Sequence, residues 1–413
     1  MGARRPFLWP MKRFCRLLLA PAALGTLLAA CHSDSKPAAV ATPPAAPGAP
    51  AAAPLASAGG SPGAAYQIYR GQLPGAPDSL TLHLLTTAQP VDADVRSVFA
   101  TYAGADGHPY QLVGHRTATP DSLVLEDISP EKQAPGSNQG PLWRLRRQGA
   151  ALVGTYRGQP LRLREARPAG ALALFVQTFA DSIEAFPGKK KSPWGQIEFQ
   201  AAVPTDCPKA LTDNVLRQLN DDSLPGRPVL PLIQIWDRQR QQFEANYREA
   251  AADSRSDAPA DTAAPYGYGL RYQQQAATYV LWNQAPLLSL GYFTYDFSGG
   301  AHGNYATRTV SYDTRTGQPL TFAAVFRPDA RPRLGALLEA AVRRTLRIPA
   351  GQPLEGPLLI KKIPVTTNFY LTSGGAVFTY GPYEIASYAQ GEVSVFIPMT
   401  DLQPLLLHPN LAS

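Results

Sequence analysis

Eight short runs of alternating apolar and polar residues follow one another between residues 66 and 166: YQIYRG, SLTLHLL, SVFATYA, PYQLVGH, SLVLED, LWRLRR, LVGTYR and PLRLRE. Successive side chains on a strand point to opposite faces, so Leu80, Leu82 and Leu84 share one side, as do Leu123 and Leu125, and Leu161 and Leu163. Gly, Pro, Asp and Asn separate the runs. A recurrence of strands about every ten to twelve residues predicts a small all-β domain, a sandwich or a barrel. Nothing in the pattern brings His83, His108 and His115 together, and scattered surface or half-buried positions are expected for them. Arg144, Arg146 and Arg147 read as a solvated strand face.

Beyond residue 167 the pattern changes. LTDNVLRQL (211–219) places Leu211, Val215, Leu216 and Leu219 on one helical stripe, and residues 231–250 do the same with Leu232, Trp236, Phe243 and Tyr247. A later helix opens with Pro332 in its first turn and repeats Leu334, Leu337, Leu338, Ala341 and Val342. Between them lie the strand patterns ATYVLWN, LLSLGYFTYDF, YATRTVSYD, AVFTY and EVSVFIP. Few parallel crossovers fit, so the expected class is α+β, an antiparallel sheet with helices on one face. The expected division is a companion domain over 167–285 and a C-terminal domain over 286–408.

The N-terminal end has a different character. MKRFCRLLLAPAALGTLLAAC, starting at Met11, has a cationic front and an apolar run to Ala30, the pattern of a secretory signal. Its end, LLAAC, resembles a bacterial lipobox, in which Cys31 is acylated and becomes the new N-terminus. The expectation is a lipid-anchored protein of the cell envelope, facing the periplasm or the exterior. Residues 36–65 are rich in Ala and Pro with little bulky apolar content. Such a segment, within an expected tether over 32–65, is semi-rigid and extended and reaches about 90 Å at most. No later run approaches the roughly 20 apolar residues needed to span a bilayer.

The formal net charge of +7 comes largely from the signal. Residues 1–31 contain Arg4, Arg5, Lys12, Arg13 and Arg16 and no acid, leaving 33 basic against 31 acidic residues. A nucleic-acid partner is therefore not implied. With Cys15 in the signal and Cys31 lipidated, Cys207 stands alone, so neither an intramolecular disulfide nor a cysteine-pair metal site is expected.

YDFSGGAHGN (295–304) places three glycines, a serine and a histidine between two strand patterns. A phosphate cradle feeds a helix N-terminus, and a nucleophile elbow has glycine on both sides of serine. Here the loop feeds a strand, Ser298 follows Phe297, and no third group orients His302. The reading is a hairpin tip in which Gly299, Gly300 and Gly303 supply left-handed backbone.

Residues 295–326, with Gly-Gly-Ala-His followed by the Asp313-x-x-Thr316-Gly317 turn, resemble the hairpin block of the RsiV-type extracytoplasmic domain family. Residues 368–398, with Tyr383-Glu384-Ile385, Tyr388-Ala389-x-Gly391 and a last strand ending Ile-Pro, resemble its closing block. The family occurs in a lysozyme-binding anti-sigma factor and ahead of the catalytic domain of a peptidoglycan deacetylase. The resemblance implies a binding surface built from Gly299, Gly300, His302, Tyr383, Glu384 and Tyr388, with lysozyme or peptidoglycan as partner. No catalytic residue, cofactor or metal is assigned. The expected function is a non-catalytic binding module on an envelope lipoprotein. The alternative is a glycan hydrolase or deacetylase with an unrecognised site, using His302 with Asp296 or Glu384 with a second carboxylate.

Overall fold

The alternating runs of residues 65–165 close into an eight-stranded antiparallel barrel, seen in a computed structural model that describes residues 61, 63–87, 97–134, 139–189, 191–222, 227–256 and 268–408. The signal, Cys31 and the tether up to residue 60 lie outside the described residues. The strands are β1 (Ala65–Gln72), β2 (Ser79–Thr86), β3 (Val98–Ala103), β4 (Pro109–Arg116), β5 (Ser122–Asp127), β6 (Leu142–Gln148), β7 (Ala151–Tyr156) and β8 (Gln159–Glu165). Each pairs with the next, and β1 returns to β8 through Tyr69 opposite Glu165. The predicted alternation fills the interior with Leu82, Leu84, Leu112, Leu125, Trp143 and Leu163, all essentially inaccessible. The barrel is thus packed solid. Arg144 and Arg146 are exposed on its outer face, while half-buried Arg147 bonds Gln67.

A second layer is a five-stranded sheet in the order β13-β12-β11-β10-β9. Its strands are β9 (Ala173–Glu184), β10 (Trp194–Thr205), β11 (Gln273–Gln284), β12 (Leu287–Phe297) and β13 (Asn304–Asp313). Helices α1 (Lys209–Leu219) and α2 (Leu232–Ser256) connect β10 to β11 and cover one face. Leu211, Val215, Leu216 and Leu219 of α1 meet that face, as do Leu232, Trp236, Phe243 and Tyr247 of α2, the two stripes read from periodicity. The sheet is antiparallel except for β10 and β11, which pair in parallel from Gln196–Gln273 to Gln200–Ala277. A parallel neighbour needs a long crossover, and the two helices supply it. The division expected at 285/286 falls in the tight connection between the paired strands β11 and β12. Residues on both sides of it share one sheet.

The remaining chain forms α3 (Phe322–Val325), α4 (Arg331–Thr345), β14 (Phe369–Thr372), β15 (Gly375–Tyr380), β16 (Val393–Pro398) and α5 (Met399–Leu402). The three strands make an antiparallel sheet, β14-β15-β16, with α4 packed against it through Leu334, Leu338, Ala341 and Val342.

Strands β2 and β3 are buried on both sides. Leu80, Leu82 and Leu84 face the barrel interior, whereas Leu85 joins the core of the five-stranded sheet. Phe99 stacks on Tyr279 of β11 at 4.0 Å between ring centroids. His83 is also fully buried here, not at a surface or half-buried position as expected. Its Nδ1 accepts from the Tyr66 hydroxyl at 2.8 Å, and that oxygen accepts from Asn283 Nδ2 at 3.2 Å. Burial pushes the imidazole down to about 4, so it is neutral at pH 7. His108 is sandwiched between Tyr110 and Phe396, and His115 is exposed.

Side chains cover part of each edge of the five-stranded sheet. At β9 the Ser61 hydroxyl accepts from the Thr178 N–H at 2.9 Å and donates to the Thr178 carbonyl at 3.2 Å, although Ser61 was expected in the tether. At β13, Asn368 Oδ1 accepts from the Thr309 N–H and hydroxyl at 2.8 and 2.9 Å, and Asn368 Nδ2 donates to the Thr307 carbonyl at 2.8 Å. The amide thereby imitates a paired strand. Asn368→Leu is expected to strand these groups and to destabilise the fold by about 2 kcal/mol. Asn368→Asp, which keeps the acceptor, is expected to cost about half as much in denaturant unfolding. Equal losses for the two variants would count against this role.

Candidate functional site

The β12–β13 hairpin carries its tip at residues 298–303. Gly299 and Gly300 sit at φ 96° and 99°, a region that favours glycine, so the tight turn depends on them. Gly303 is fixed by a close approach instead: a Cβ there would lie 2.5 Å from the Tyr295 ring.

The tip meets the segment between β15 and β16. His302 stacks on Tyr388 at 3.8 Å between centroids with an interplanar angle of 20°. The Gly303 carbonyl can only accept, so His302 Nδ1, at 3.0 Å, carries the proton. Nε2 is left to accept from the Tyr383 hydroxyl at 3.3 Å. The Tyr388 hydroxyl donates to the same Gly303 carbonyl at 2.8 Å, and Tyr305 of β13 meets Tyr388 edge-on. One histidine and three tyrosines thus form a cluster with its tautomer set. Tyr383 is 56% exposed and holds a backbone φ of 65°.

Of the residues read from sequence, His302, Tyr383 and Tyr388 are brought together, and Gly299 and Gly300 shape the loop beside them. Glu384 stands apart: its carboxylate accepts from the Gly381 N–H at 2.8 Å, within its own turn. The pairing of His302 with Asp296 does not assemble. Asp296 takes a hydrogen bond from Ser298, and both ring nitrogens of His302 are engaged elsewhere. Cys207 packs against the α1–α2 core, where its thiol lies 3.4 Å from Thr212 Oγ1. Among the described residues no cluster of three or more His, Cys, Asp or Glu side chains is placed to hold a metal, and no helix is long and apolar enough to cross a membrane.

Sequence reasoning missed a cleft of about 920 Å³ that begins at Tyr305. Its floor is the face of the five-stranded sheet opposite the helices. Glu198, Gln275, Tyr295 and Tyr305 lie side by side on β10 to β13, and Gln200, Ala277, Phe293 and Thr307 form the next row. Phe99 and His108 of the barrel and Phe396 of β16 contribute the opposing walls. Burial drives Glu198 up to about 7 against a hydrogen bond from Gln275, and it also raises Glu392, which accepts from the Thr307 N–H and hydroxyl. The sequence reading places no strand over β10, and nothing local to a strand says which of its faces a second body will cover.

Residues 323–400 match the family model described as "Protein of unknown function (DUF3298)". Among solved structures, the chain is similar to a DUF3298 family member from Bacteroides fragilis NCTC 9343. That match has 21% identity and a TM-score of 0.51, and covers 60% of this chain and 98% of the other. A DUF3298 protein from Pseudomonas aeruginosa PAO1 matches at 20% identity and a TM-score of 0.40, over 58% of this chain and 96% of the other. No curated protein matches.

The raised carboxyl of Glu198 gives a pH signature. Between its ordinary value of 4.5 and about 7 the folded state holds more protons than the unfolded state, so this group's contribution to stability falls as pH rises through that window. Glu198→Gln is expected to be more stable than the parent at pH 8 by roughly 1–2 kcal/mol after allowance for partial solvent access, with no difference at pH 4. Urea unfolding at the two pH values checks this, and a constant offset would contradict it. Residues 323–400 are thus the segment that matches the DUF3298 family model, and the likeness to the Bacteroides structure is one of fold.

Proposed function

We propose that the protein is a lipid-anchored lipoprotein of the cell envelope whose C-terminal α+β region, of the RsiV type, is a non-catalytic binding module with the hairpin-tip cluster as its contact surface. The observation that carries this reading is the convergence of two segments distant in sequence, 298–303 and 383–388, into one preassembled set of rings, with His302 and Tyr383 exposed and Tyr388 half-buried. A bulky residue in the left-handed region costs on the order of 1 kcal/mol. At Tyr383 that cost is not offset by burial, because the ring is displayed to solvent. Flat rings with polar tips supply rigid contact area to a protein or a glycan at little cost in side-chain entropy. Lysozyme and peptidoglycan are the partners implied by the resemblance of the two blocks.

Calorimetric titration with lysozyme and co-sedimentation with purified peptidoglycan test the reading. Saturable binding to one of them is expected. His302→Ala and Tyr383→Gly are each expected to weaken it about tenfold or more, the equivalent of roughly 1.4 kcal/mol. The melting temperature should move by less than about 3 °C, since both side chains lie outside the core. Binding of neither partner, or loss of binding only with loss of fold, would reject it. The anchor is tested separately: Cys31→Ser should move the protein from the membrane fraction to the soluble fraction, and retention in the membrane would refute lipidation at this residue.

A further inference from the structure

We infer that the cleft between the barrel and the five-stranded sheet is a binding site for a neutral oligosaccharide, with Gln200, Thr178 and Phe293 contacting the sugar. This extends the binding reading to a second site and rests on the cleft alone.

Four observations converge. The volume of about 920 Å³ is at the upper end of the range for small-molecule sites, and the site lies where two bodies of the fold meet, a common position for one. The floor is elongated: with strands about 4.8 Å apart, the row from Glu198 to Tyr305 crosses about 14 Å. A chain of several rings fits that shape better than a compact ligand.

The lining chemistry narrows the class. Aromatic rings alternate with amides and hydroxyls, Phe293 and Tyr295 standing among Gln200, Gln275 and Thr307. Ring faces pack against the apolar faces of sugars, and amides and hydroxyls bond their edges. Among the described residues that line the cleft none is lysine or arginine, so a phosphate or carboxylate would find no counter-charge. The carboxylates do not favour a cation either. Glu131 takes the Thr345 hydroxyl, Glu392 takes Thr307, and Glu198 takes Gln275.

The sharpest observation is a pair of polar atoms without protein partners. Gln200 is 5% exposed, and its Oε1 accepts from the Thr278 N–H at 3.1 Å. That bond assigns the amide orientation, and the remaining Nε2 meets no protein acceptor. Directly across on β9, Thr178 Oγ1 also lacks a partner. Buried polar atoms are nearly always bonded, so a neighbouring donor and hydroxyl buried without a partner beside a cleft point to a ligand that reaches and completes them as it settles in. Adjacent hydroxyls of a sugar ring match the pair.

Calorimetry on the full chain with chitotetraose, cellotetraose and maltotetraose tests the inference, with tetragalacturonate as the anionic control and a chitosan tetramer as the cationic one. Saturable one-to-one binding is expected for at least one neutral tetramer and for neither charged one. Gln200→Leu and Phe293→Ala should each weaken it about tenfold or more, while His302→Ala and Tyr383→Gly change it by less than about twofold. Phe293→Ala is the safer variant, because Gln200→Leu also removes the acceptor for the Thr278 N–H; a melting curve accompanies each. No binding of any neutral tetramer, binding of a charged tetramer instead, or binding that survives Phe293→Ala would overturn the inference. Binding lost only in the tip variants would overturn it while leaving the tip reading intact.

Discussion

Strand β13 ends a sheet, and over Thr307 and Thr309 its outward backbone groups meet side chains rather than another strand. Asn368 bonds both a donor and an acceptor of that edge, and Glu392 takes the Thr307 N–H. An open edge invites pairing with another chain, and covering it removes that hazard. The same bonds set the β14–β16 sheet beside the hairpin, since Asn368 immediately precedes β14 and Glu392 immediately precedes β16. Once those two points are pinned, the loop between β15 and β16 has little freedom. It must arrive near the β12–β13 tip, where Tyr388 stacks on His302.

The five-stranded sheet works as a partition with two unlike faces. One is apolar and takes the helices through Ile197, Phe199 and Leu290. The other carries Glu198, Gln200, Gln275 and Thr307 among aromatic rings, a composition too polar for a dry core. The barrel interior is lined by Trp143 and leucines, all buried. Polar chemistry is therefore concentrated at the junction, where the barrel wall stands over the sheet without sealing it.

What could be read from the sequence follows from the range of the interactions involved. Period-two alternation is local, and it located all eight barrel strands; the helical stripes of α1 and α2 were legible for the same reason. The choice between sandwich and barrel stayed open, because closure depends on β1 meeting β8, nearly a hundred residues away. The parallel pairing of β10 with β11 was hidden by the crossover between them. His302, Tyr383 and Tyr388 were found through two blocks of motif, whereas their tautomer and stacking needed coordinates. Glu198, Gln200 and Asn368 carried no signal at all. A strand pattern does not say which of its faces another body will cover, and an asparagine that imitates a strand looks like any loop residue. His83 was misplaced for the same cause: its neighbours suggest a barrel exterior, and only the packing of β2 against the sheet shows that this exterior is interior to the whole.

That double coverage of β2 and β3 bears on how such a protein can be taken apart. Leu85 and Phe99 project outward from the barrel into apolar surroundings supplied by later parts of the chain, and the Tyr66–His83–Asn283 bonds cross the same seam. A fragment cut near residue 166 would present greasy side chains and a buried-type imidazole to water. The two architectures are legible as separate patterns, yet neither was shaped to live alone. Recombination that moved the barrel onto another scaffold would have to carry a matching sheet with it.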